Sequence, residues 1–425
     1  MVKILEGKCE EVLKDFPDNY FDSIVTDPPY GLRFMGKKWD YNVPSIEQWQ
    51  EALRVLKPGG YLLSFGGTRT YHRMVVNIED AGFEIRDQIQ WLYGSGFPKS
   101  LDVGKAIDKV QGNEREVVGK IAQPGSTNKR LAMGDGWQKE PDLTEGNTQW
   151  EGFGTALKPA NEPICLARKP LSEKTVAANV LKWGTGGLNI DGCRVETEET
   201  ISNHSRGSES AISKGKYGDS SKQETHQTTG QQQGRFPANV IHDGSDEVVG
   251  LFPDTGQPCG SVKKTTHTDG MFGIGQPGQI FTEQDGDNRS AARFFYCAKA
   301  SKTDRNEGLE GLKKKTAGEM TGGRKEGSAG LNSPRAGAGR TSGGFNTHPT
   351  IKPTSLMQYL VKLITPPGGI VLDNFMGSGS TGKACIREGF SFVGIDKDVE
   401  SVVIAEKRVE YEQSKTYKIW NDLFE

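Results

Sequence analysis

Asp27, Pro28, Pro29 and Tyr30 stand together directly after an apolar run, Phe21–Val25, which is typical of a short buried strand. Because the prolines have no N–H and fixed φ angles, they end the strand in a rigid corner. The corner offers acceptors only: the Asp27 carboxylate and the carbonyls of Asp27 and Pro28. An exocyclic amino group suits these acceptors, and the Tyr30 ring can stack on the ring that carries it. A plain turn after a strand contains the same residue types, so both interpretations stay open here.

A glycine-rich loop that follows the apolar run Ile370–Asp373 is a second candidate site. Residues Gly377–Ala384 nearly match the phosphate loop GxxxxGK[ST], but Ala384 replaces the hydroxyl residue that ligates Mg²⁺, which disfavours a nucleoside triphosphatase. A nucleoside cofactor is the alternative, since glycines let the backbone approach a ligand and Asp396 ends the next apolar run, where an acid accepts hydrogen bonds from ribose hydroxyls. A purely structural turn is the third interpretation.

Both sites need a sheet to position them. Residues 1–98 alternate strand and helix signals, with a capping-box pattern at Ser45–Gln48, and the same alternation resumes at Pro353. A lone strand–helix–strand unit cannot bury its own edge, so the C-terminal part is expected to complete the sheet that the N-terminal part begins. The predicted fold class is α/β: a Rossmann-like sheet with helices on both faces, assembled from the two ends of the chain, plus a long irregular middle insertion.

The predicted domain boundaries follow from this pattern. Residues 1–98 and 346–425 form the two halves of the main domain, and 161–170 supply a return strand expected at the edge of the sheet. Residues 99–160 are a surface insertion, and 171–345 are Gly- and Ser-rich and expected to be partly disordered.

Composition limits the class of protein. The chain has 425 residues, of which 34% are hydrophobic, and 55 glycines, so a compact core with long polar insertions is expected. It contains no apolar stretch long enough for a membrane span and no secretory h-region, which predicts a soluble, cytoplasmic protein without a membrane partner. The six Cys and six His show no metal-ligand spacing, which predicts free thiols and no metal site.

The net charge of −2 neither demands nor excludes a nucleic-acid partner. Residues 299–340 contain ten Lys and Arg against five Asp and Glu, and this basic segment is either phosphate-facing or a solvated loop.

In this order, Asp27-Pro28-Pro29-Tyr30 and Phe375-x-Gly377-x-Gly379 resemble the amino-methyltransferases of DNA, and in particular their beta class. The resemblance extends to Asn161–Ile164 and His348–Pro353 and leaves most of the middle uncovered. It implies a site-specific enzyme that uses S-adenosyl-L-methionine to methylate adenine N6 in double-stranded DNA, with target recognition in residues 171–345.

The resemblance also implies roles for individual residues. Asp27 and the Pro28 carbonyl would accept hydrogen bonds from the amino group, and Tyr30 would stack on a base flipped from the duplex. Direct in-line transfer would follow, without a covalent enzyme intermediate. The implied cofactor-binding residues are Asp373, Phe375, Gly377, Ser378, Gly379, Ser380, Thr381, Asp396 and Lys352.

One departure from the family pattern concerns the cofactor. Many relatives carry an acid after the glycine of the amino-terminal segment, where this chain has Lys8, so that contact to the cofactor adenine is in doubt.

Other functions remain open at the level of sequence: cytosine-N4 methylation, an RNA or protein-glutamine methyltransferase, or an inactive DNA-binding relative. A homodimer and a separate cognate restriction endonuclease are candidate partners. Aromatic residues Phe34, Trp39 and Tyr41, in the loop after the corner, are candidate supports for a flipped base.

Overall fold

The structure is a computed structural model that describes residues 1–32, 40–96, 100–120, 142–197, 203–205, 224–226, 234–254, 263–264, 279–280, 290–298, 302–315, 344–348 and 350–424. The strands are β1 (Val2–Glu6), β2 (Phe21–Thr26), β3 (Leu56–Phe65), β4 (Glu84–Leu92), β5 (Glu116–Lys120), β6 (Asp142–Glu145), β7 (Asn161–Arg168), β8 (Asn203–Ser205), β9 (Glu224–His226), β10 (Val240–His242), β11 (Lys263–Lys264), β12 (Gln279–Ile280), β13 (Tyr296–Cys297), β14 (Ile370–Asp373) and β15 (Ser391–Asp396). The α-helices are α1 (Cys9–Val12), α2 (Ile46–Val55), α3 (Tyr71–Asp80), α4 (Val103–Gln111), α5 (Val176–Trp183), α6 (Asp246–Val249), α7 (Lys302–Asn306), α8 (Thr354–Ile364), α9 (Ser380–Glu388) and α10 (Val399–Phe424).

One large sheet contains strands from both ends of the chain. Nine described strands follow the order β1-β15-β14-β2-β3-β7-β4-β10-β13. The C-terminal strands β14 and β15 lie between the N-terminal strands β1 and β2, so neither end can form this sheet alone. The predicted α/β class, with the sheet assembled from both parts of the chain, is confirmed.

The return strand β7 corrects an expectation. It was expected at the edge, but it lies inside the sheet, hydrogen-bonded to β3 on one side and β4 on the other, and among the described strands of this sheet it alone runs antiparallel to its neighbours. Its consecutive residues Ile164–Ala167 are all buried, which is typical of a strand covered on both faces. Because β7 is antiparallel, its first residues lie at the carboxyl ends of the neighbouring strands.

Two apolar clusters cover the two faces of the sheet. Alternate residues of the central strands point to opposite faces, so Ile24 and Leu62 belong to one cluster and Val25 and Leu63 to the other. The first cluster includes Trp49 and its neighbours on α2 and α3, and the second includes the apolar residues of α8. All six residues of β2 are buried, so the corner that follows this strand starts from a fixed position.

Helix α2 begins as the sequence predicts. The Ser45 hydroxyl accepts a hydrogen bond from the Gln48 amide, and the Gln48 side chain accepts one from the Ser45 amide, which completes a capping box. Near the end of the middle segment, a 3₁₀ turn occupies Ala291–Phe294, and Tyr296–Cys297 pair with β10.

Two compact units are defined by the chain contacts. The first contains Met1–Gly94, Asn161–Leu309 and Thr350–Glu425, which includes the large sheet. The second contains Ser95–Ala160 and Glu310–Pro349. In the second unit Arg115 pairs with Asp108 of α4 and, at 2.6 Å, with Glu151, so these residues connect α4 and the β5–β6 hairpin to the following turn.

Some expectations concern residues outside the described ranges. These include Phe34, Trp39, most of the low-complexity tract 202–233 and most of the basic segment 299–340. Among the described helices, none combines the length and apolar character that a membrane crossing requires.

Candidate active site

Both sequence motifs lie at the same end of the sheet, where its parallel strands have their carboxyl ends. Strands β2 and β14 are parallel neighbours, with Ser23 opposite Val371 and Ile24 opposite Leu372. Their carboxyl ends therefore lie side by side, and the corner that follows β2 adjoins the glycine loop that follows β14. In open α/β sheets, ligands bind outside the carboxyl ends of the strands.

Four polar side chains meet at the corner: Asp27, Tyr30, Glu162 and Lys352. The Lys352 ammonium donates to Asp27 Oδ2 at 2.6 Å and lies 3.1 Å from Glu162 Oε2. The Tyr30 hydroxyl lies 2.8 Å from Asp27 Oδ1 and 3.1 Å from Glu162 Oε2. We call these four residues the corner cluster.

Burial differs within the corner cluster. The Lys352 side chain is 7% exposed, whereas Asp27 and Glu162 keep 18% and 21% of their side chains exposed. Burial opposes the charge on Lys352, but the carboxylates of Asp27 and Glu162 outweigh it and raise the pKa of Lys352. Burial, reinforced by the same two carboxylates, also raises the pKa of Tyr30. Lys352 therefore stays charged and the Tyr30 hydroxyl stays protonated across the physiological range.

The backbone of the corner is held from outside the tetrapeptide. Asp40, which is buried, accepts hydrogen bonds from the amides of Tyr30 and Gly31 at 2.7 and 2.9 Å. The Thr70 hydroxyl donates to the Tyr30 carbonyl at 2.5 Å. These contacts fix Tyr30 from two other parts of the chain, and neither contact was visible in the sequence.

Asp373 connects the two motifs. The Thr26 hydroxyl, one residue before Asp27, donates to Asp373 Oδ1 at 2.7 Å, and the Thr381 hydroxyl of α9 donates to Oδ2 at 2.5 Å. Burial raises the pKa of Asp373 to about 7, against the opposing effect of these hydrogen bonds. Asp373 thus connects the end of β2 to the first turn of α9, the helix that follows the glycine loop.

The glycine loop is shaped by its own backbone. Gly377 and Gly379 have φ angles of 52° and 74°, which favour glycine. A Cβ at Gly379 would lie 2.9 Å from Ala405 Cβ, so a side chain there would also collide with α10. The Gly377 amide donates to Asp396 Oδ2 at 2.8 Å, which holds the loop against the end of β15.

Arg408, a fully buried residue of α10, supports the same loop. It donates to the Ser378 carbonyl at 2.5 Å and contacts the hydroxyls of Ser378 and Ser380 at 3.1 and 3.2 Å. The two serines, predicted to bind the cofactor, therefore face α10 in this structure.

Lys8 lies apart from these contacts. Its ammonium pairs with Glu11 at 2.7 Å, and both side chains are mostly exposed. Lys8 is the N-cap residue of α1, but its side chain makes no capping hydrogen bond to the helix. The first turn of α1 carries the acids Glu10 and Glu11.

The structure brings Lys352 into contact with Asp27 and Tyr30, which belong to a different sequence motif. Pro28 is buried and Pro29 half-buried behind them, and Phe375 packs edge-on to Trp49 with ring centroids 6.0 Å apart. Lys352, predicted to meet the cofactor, contacts Asp27 in this structure, and Tyr41 is 46% exposed. Glu162 lies in the stretch Asn161–Ile164 that carries part of the resemblance, but the sequence assigned it no role; an acid at the start of an otherwise apolar, buried strand is the signal that could have found it.

Comparison with known proteins places the chain in a family. A family model described as DNA methylase, of the N6_N4_Mtase type, matches residues 21–407. The chain belongs to this DNA methylase family. The match spans both motifs and the region between them, and it confirms the resemblance to amino DNA methyltransferases.

Individual relatives of the DNA methylase match over shorter stretches. The type II methyltransferase M2.DpnII of Streptococcus pneumoniae is 45% identical over 65 residues, which are 15% of this chain and 24% of that protein. M.BglI of Bacillus subtilis is 45% identical over 58 residues, 14% of this chain and 17% of its own. The chain thus spans a quarter or less of the length of these curated relatives.

Two solved structures are also similar over most of the chain. A complex of M1.HpyAVI with SAM gives a TM-score of 0.38 at 15% identity and covers 96% of this chain and 100% of its own. The cytosine-N4-specific PvuII DNA methyltransferase gives a TM-score of 0.40 at 12% identity. This match covers 98% of the present chain and 90% of the PvuII enzyme.

Proposed function

We propose that this chain is a site-specific DNA methyltransferase that transfers a methyl group from S-adenosyl-L-methionine to the exocyclic N6 of adenine in double-stranded DNA. The observation that carries the proposal is the adjacency of two motifs. An acceptor-lined corner and a glycine loop end neighbouring parallel strands in a chain that belongs to the DNA methylase family.

The residues present at the loop fit a nucleoside cofactor. The Asp396 carboxylate at the end of β15 accepts hydrogen bonds from the amides of Gly377 and Asp398, and an acid at this position is the residue type that accepts hydrogen bonds from ribose hydroxyls. Phe375 offers an aromatic edge beside the loop, and the glycines allow close approach. S-adenosyl-L-methionine, when bound, supplies an electrophilic methyl group. The chain's own part is to hold that methyl group in line with the target nitrogen.

The corner cluster supports the transfer step. The Asp27 carboxylate and the Pro28 carbonyl accept hydrogen bonds from the amino group, which increases the electron density of its nitrogen lone pair. That lone pair would then accept the methyl group in exchange for one amino proton, with the cofactor's sulfur as the leaving group. Tyr30 stacks on the base, which leaves the duplex to reach the corner.

Adenine rather than cytosine is proposed from the tetrapeptide. Aspartate at its first position favours adenine by the tendency of the family that the sequence resembles. The cofactor roles of Asp373, Phe375, Gly377, Ser378, Gly379, Ser380, Thr381, Asp396 and Lys352 stay predictions, as do the domain boundaries, the homodimer and the cognate endonuclease.

Incubation with duplex DNA and methyl-labelled cofactor, followed by nucleoside analysis, tests the proposal. We expect label in N6-methyladenine alone. Label in N4-methylcytosine would show that the target base is cytosine and not adenine. Labelled RNA or protein beside unlabelled DNA would show that DNA is not the substrate. The matched control is Asp27→Asn, which keeps the shape of the side chain and removes its charge; it should transfer no label.

A further inference from the structure

The Tyr30 hydroxyl has one proton and two carboxylate neighbours. Asp27 Oδ1 lies 2.8 Å from the hydroxyl oxygen and Glu162 Oε2 lies 3.1 Å from it. A phenol donates a single hydrogen bond, so it can serve only one of the two carboxylates at a time. Rotation about the C–O bond changes the acceptor without moving the ring.

The second oxygen of Asp27 already accepts a charged hydrogen bond. Lys352 donates to Asp27 Oδ2 at 2.6 Å and to the Tyr30 hydroxyl oxygen at 3.2 Å, and its ammonium lies 3.1 Å from Glu162 Oε2. Each carboxylate oxygen can accept two hydrogen bonds, so the oxygen that keeps the greater acceptor strength for a substrate amino group is Oδ1, whose neighbour is the neutral Tyr30 hydroxyl and not the Lys352 ammonium.

Glu162 is more than a counter-ion for Lys352. Asp27 alone balances the single charge of Lys352, and a second carboxylate leaves these three groups with a net charge of about −1 in a half-buried position, where unbalanced charge costs free energy. A purely structural ion pair has no need of that second acid.

We propose that Glu162 is a positioning residue for the transfer step. It accepts the hydrogen bond of the Tyr30 hydroxyl when the amino group of the target base arrives, so that Asp27 Oδ1 gives its full acceptor strength to the hydrogen bond from that amino group. The Tyr30 ring keeps its place against the base throughout. This inference rests on the proposed function, because it names how the same corner receives its substrate.

A double-mutant cycle of Glu162→Gln and Tyr30→Phe tests the inference. Glutamine is a weaker acceptor than a carboxylate, so the hydroxyl should stay on Asp27 and the single-turnover methylation rate should fall roughly tenfold, the rate equivalent of one hydrogen bond. The dissociation constants for cofactor and DNA should stay unchanged. Tyr30→Phe removes the competing proton, so adding Glu162→Gln to it should cause no further loss.

Glu84→Gln is the matched control. Glu84 is a carboxylate of the same sheet that pairs with Arg168 at 2.6 Å, near the opposite end of β7. It should leave the single-turnover rate unchanged. Glu162→Asp keeps the charge but withdraws the carboxylate from the hydroxyl, so it should reproduce the loss of Glu162→Gln even where the glutamine variant folds poorly.

Two results would overturn the inference while leaving the proposed function intact. One is a wild-type rate in both Glu162 variants, and the other is an equal loss from Glu162→Gln with and without the Tyr30 hydroxyl. Absence of DNA methylation by the wild-type protein would instead refute the proposed function itself.

Discussion

Two lysines of this protein are surrounded by carboxylates, yet their surroundings differ. Lys352 in the corner cluster contacts Asp27 and Glu162, whose side chains remain 18% and 21% exposed. Lys383 of α9 is 0% exposed and lies 2.7 Å from Asp304, 3.0 Å from Glu307 and 3.5 Å from Glu412. We call Lys383 and these three acids the interior cluster.

The difference concerns access. The interior cluster joins α7 and the residues after it to α9 and α10, and Asp304 also accepts hydrogen bonds from the amide and hydroxyl of Thr354 at the start of α8. Its charges therefore hold helices together. The corner cluster lies where two strands end, and its acids face outward enough to meet a substrate. The same pair of residue types thus stabilises the fold in one region and is available for chemistry in the other.

The largest expected effect is on activity and comes from the corner. Asp27→Ala removes the acceptor for the amino group, and we expect methylation to fall by about three orders of magnitude or more, as for the loss of a main electrostatic contact to the transition state. Cofactor affinity, measured by equilibrium titration, should stay nearly unchanged. An equal loss of cofactor binding would show that Asp27 belongs to the cofactor site.

The interior cluster should show the opposite result. Lys383→Met removes the central cation from Glu412, which is buried, and from Asp304 and Glu307, which are mostly buried. Arg387, Arg408 and Lys415 still contact these acids, so we expect a loss of about 3 kcal/mol of unfolding free energy, the lower end of the range for breaking a buried ion pair. Activity per folded molecule should be retained at low temperature. Urea unfolding at several pH values is the measurement.

The pH dependence sharpens that prediction. Burial acts to raise the pKa values of Asp304 and Glu307, but Lys383, together with Thr354 at Asp304 and Lys415 at Glu307, outweighs it and both pKa values are lowered. A lowered pKa stabilises the fold above the unfolded pKa, and this stabilisation is lost as the pH falls through the folded value. The difference between Lys383→Met and wild type should therefore shrink in acid. A variant with wild-type stability and reduced turnover would contradict the distinction between the clusters.

The contribution of Asp373 to the stability of the fold should depend on pH with the opposite sign. Burial raises its pKa to about 7, so the folded state holds a proton that the unfolded chain releases near pH 4. A raised pKa gives stability that is present below the unfolded pKa and is lost as the pH rises through about 7. Asp373→Asn should flatten the decline between about pH 4 and 7, a change on the order of a few kcal/mol, in thermal unfolding followed across that range. An unchanged slope would mean that Asp373 is ionised throughout.

The smallest effect is expected at Lys8. Its pair with Glu11 is exposed on both sides, and such pairs contribute little to stability. Lys8→Ala should leave both the melting temperature and the cofactor dissociation constant unchanged. A clear gain in cofactor affinity would show instead that the Lys8 ammonium acts on the cofactor despite its contact with Glu11.

Local patterns predicted the elements of the sheet well because their signals lie within a few residues of one another. The capping box at Ser45–Gln48 and the buried runs before Asp27 and after Pro367 are examples. The prediction that β7 lies at the edge of the sheet was wrong, because an isolated apolar run does not show which strands it will pair with. Its place between β3 and β4 depends on hydrogen bonds to partners far away in the chain.

The sequence by itself determined the two motifs, their order and the family that they indicate, because each motif is a short run of residue types with its own backbone requirements. Only the tertiary structure decided that Glu162 and Lys352 meet Asp27 and Tyr30, that Ser378 and Ser380 face Arg408, and that Asp373 joins Thr26 to Thr381. Thr26 and Asp373 are 347 positions apart, and their contact exists because β14 pairs with β2. Contacts of this kind follow from strand pairing across the whole chain, which no local pattern specifies.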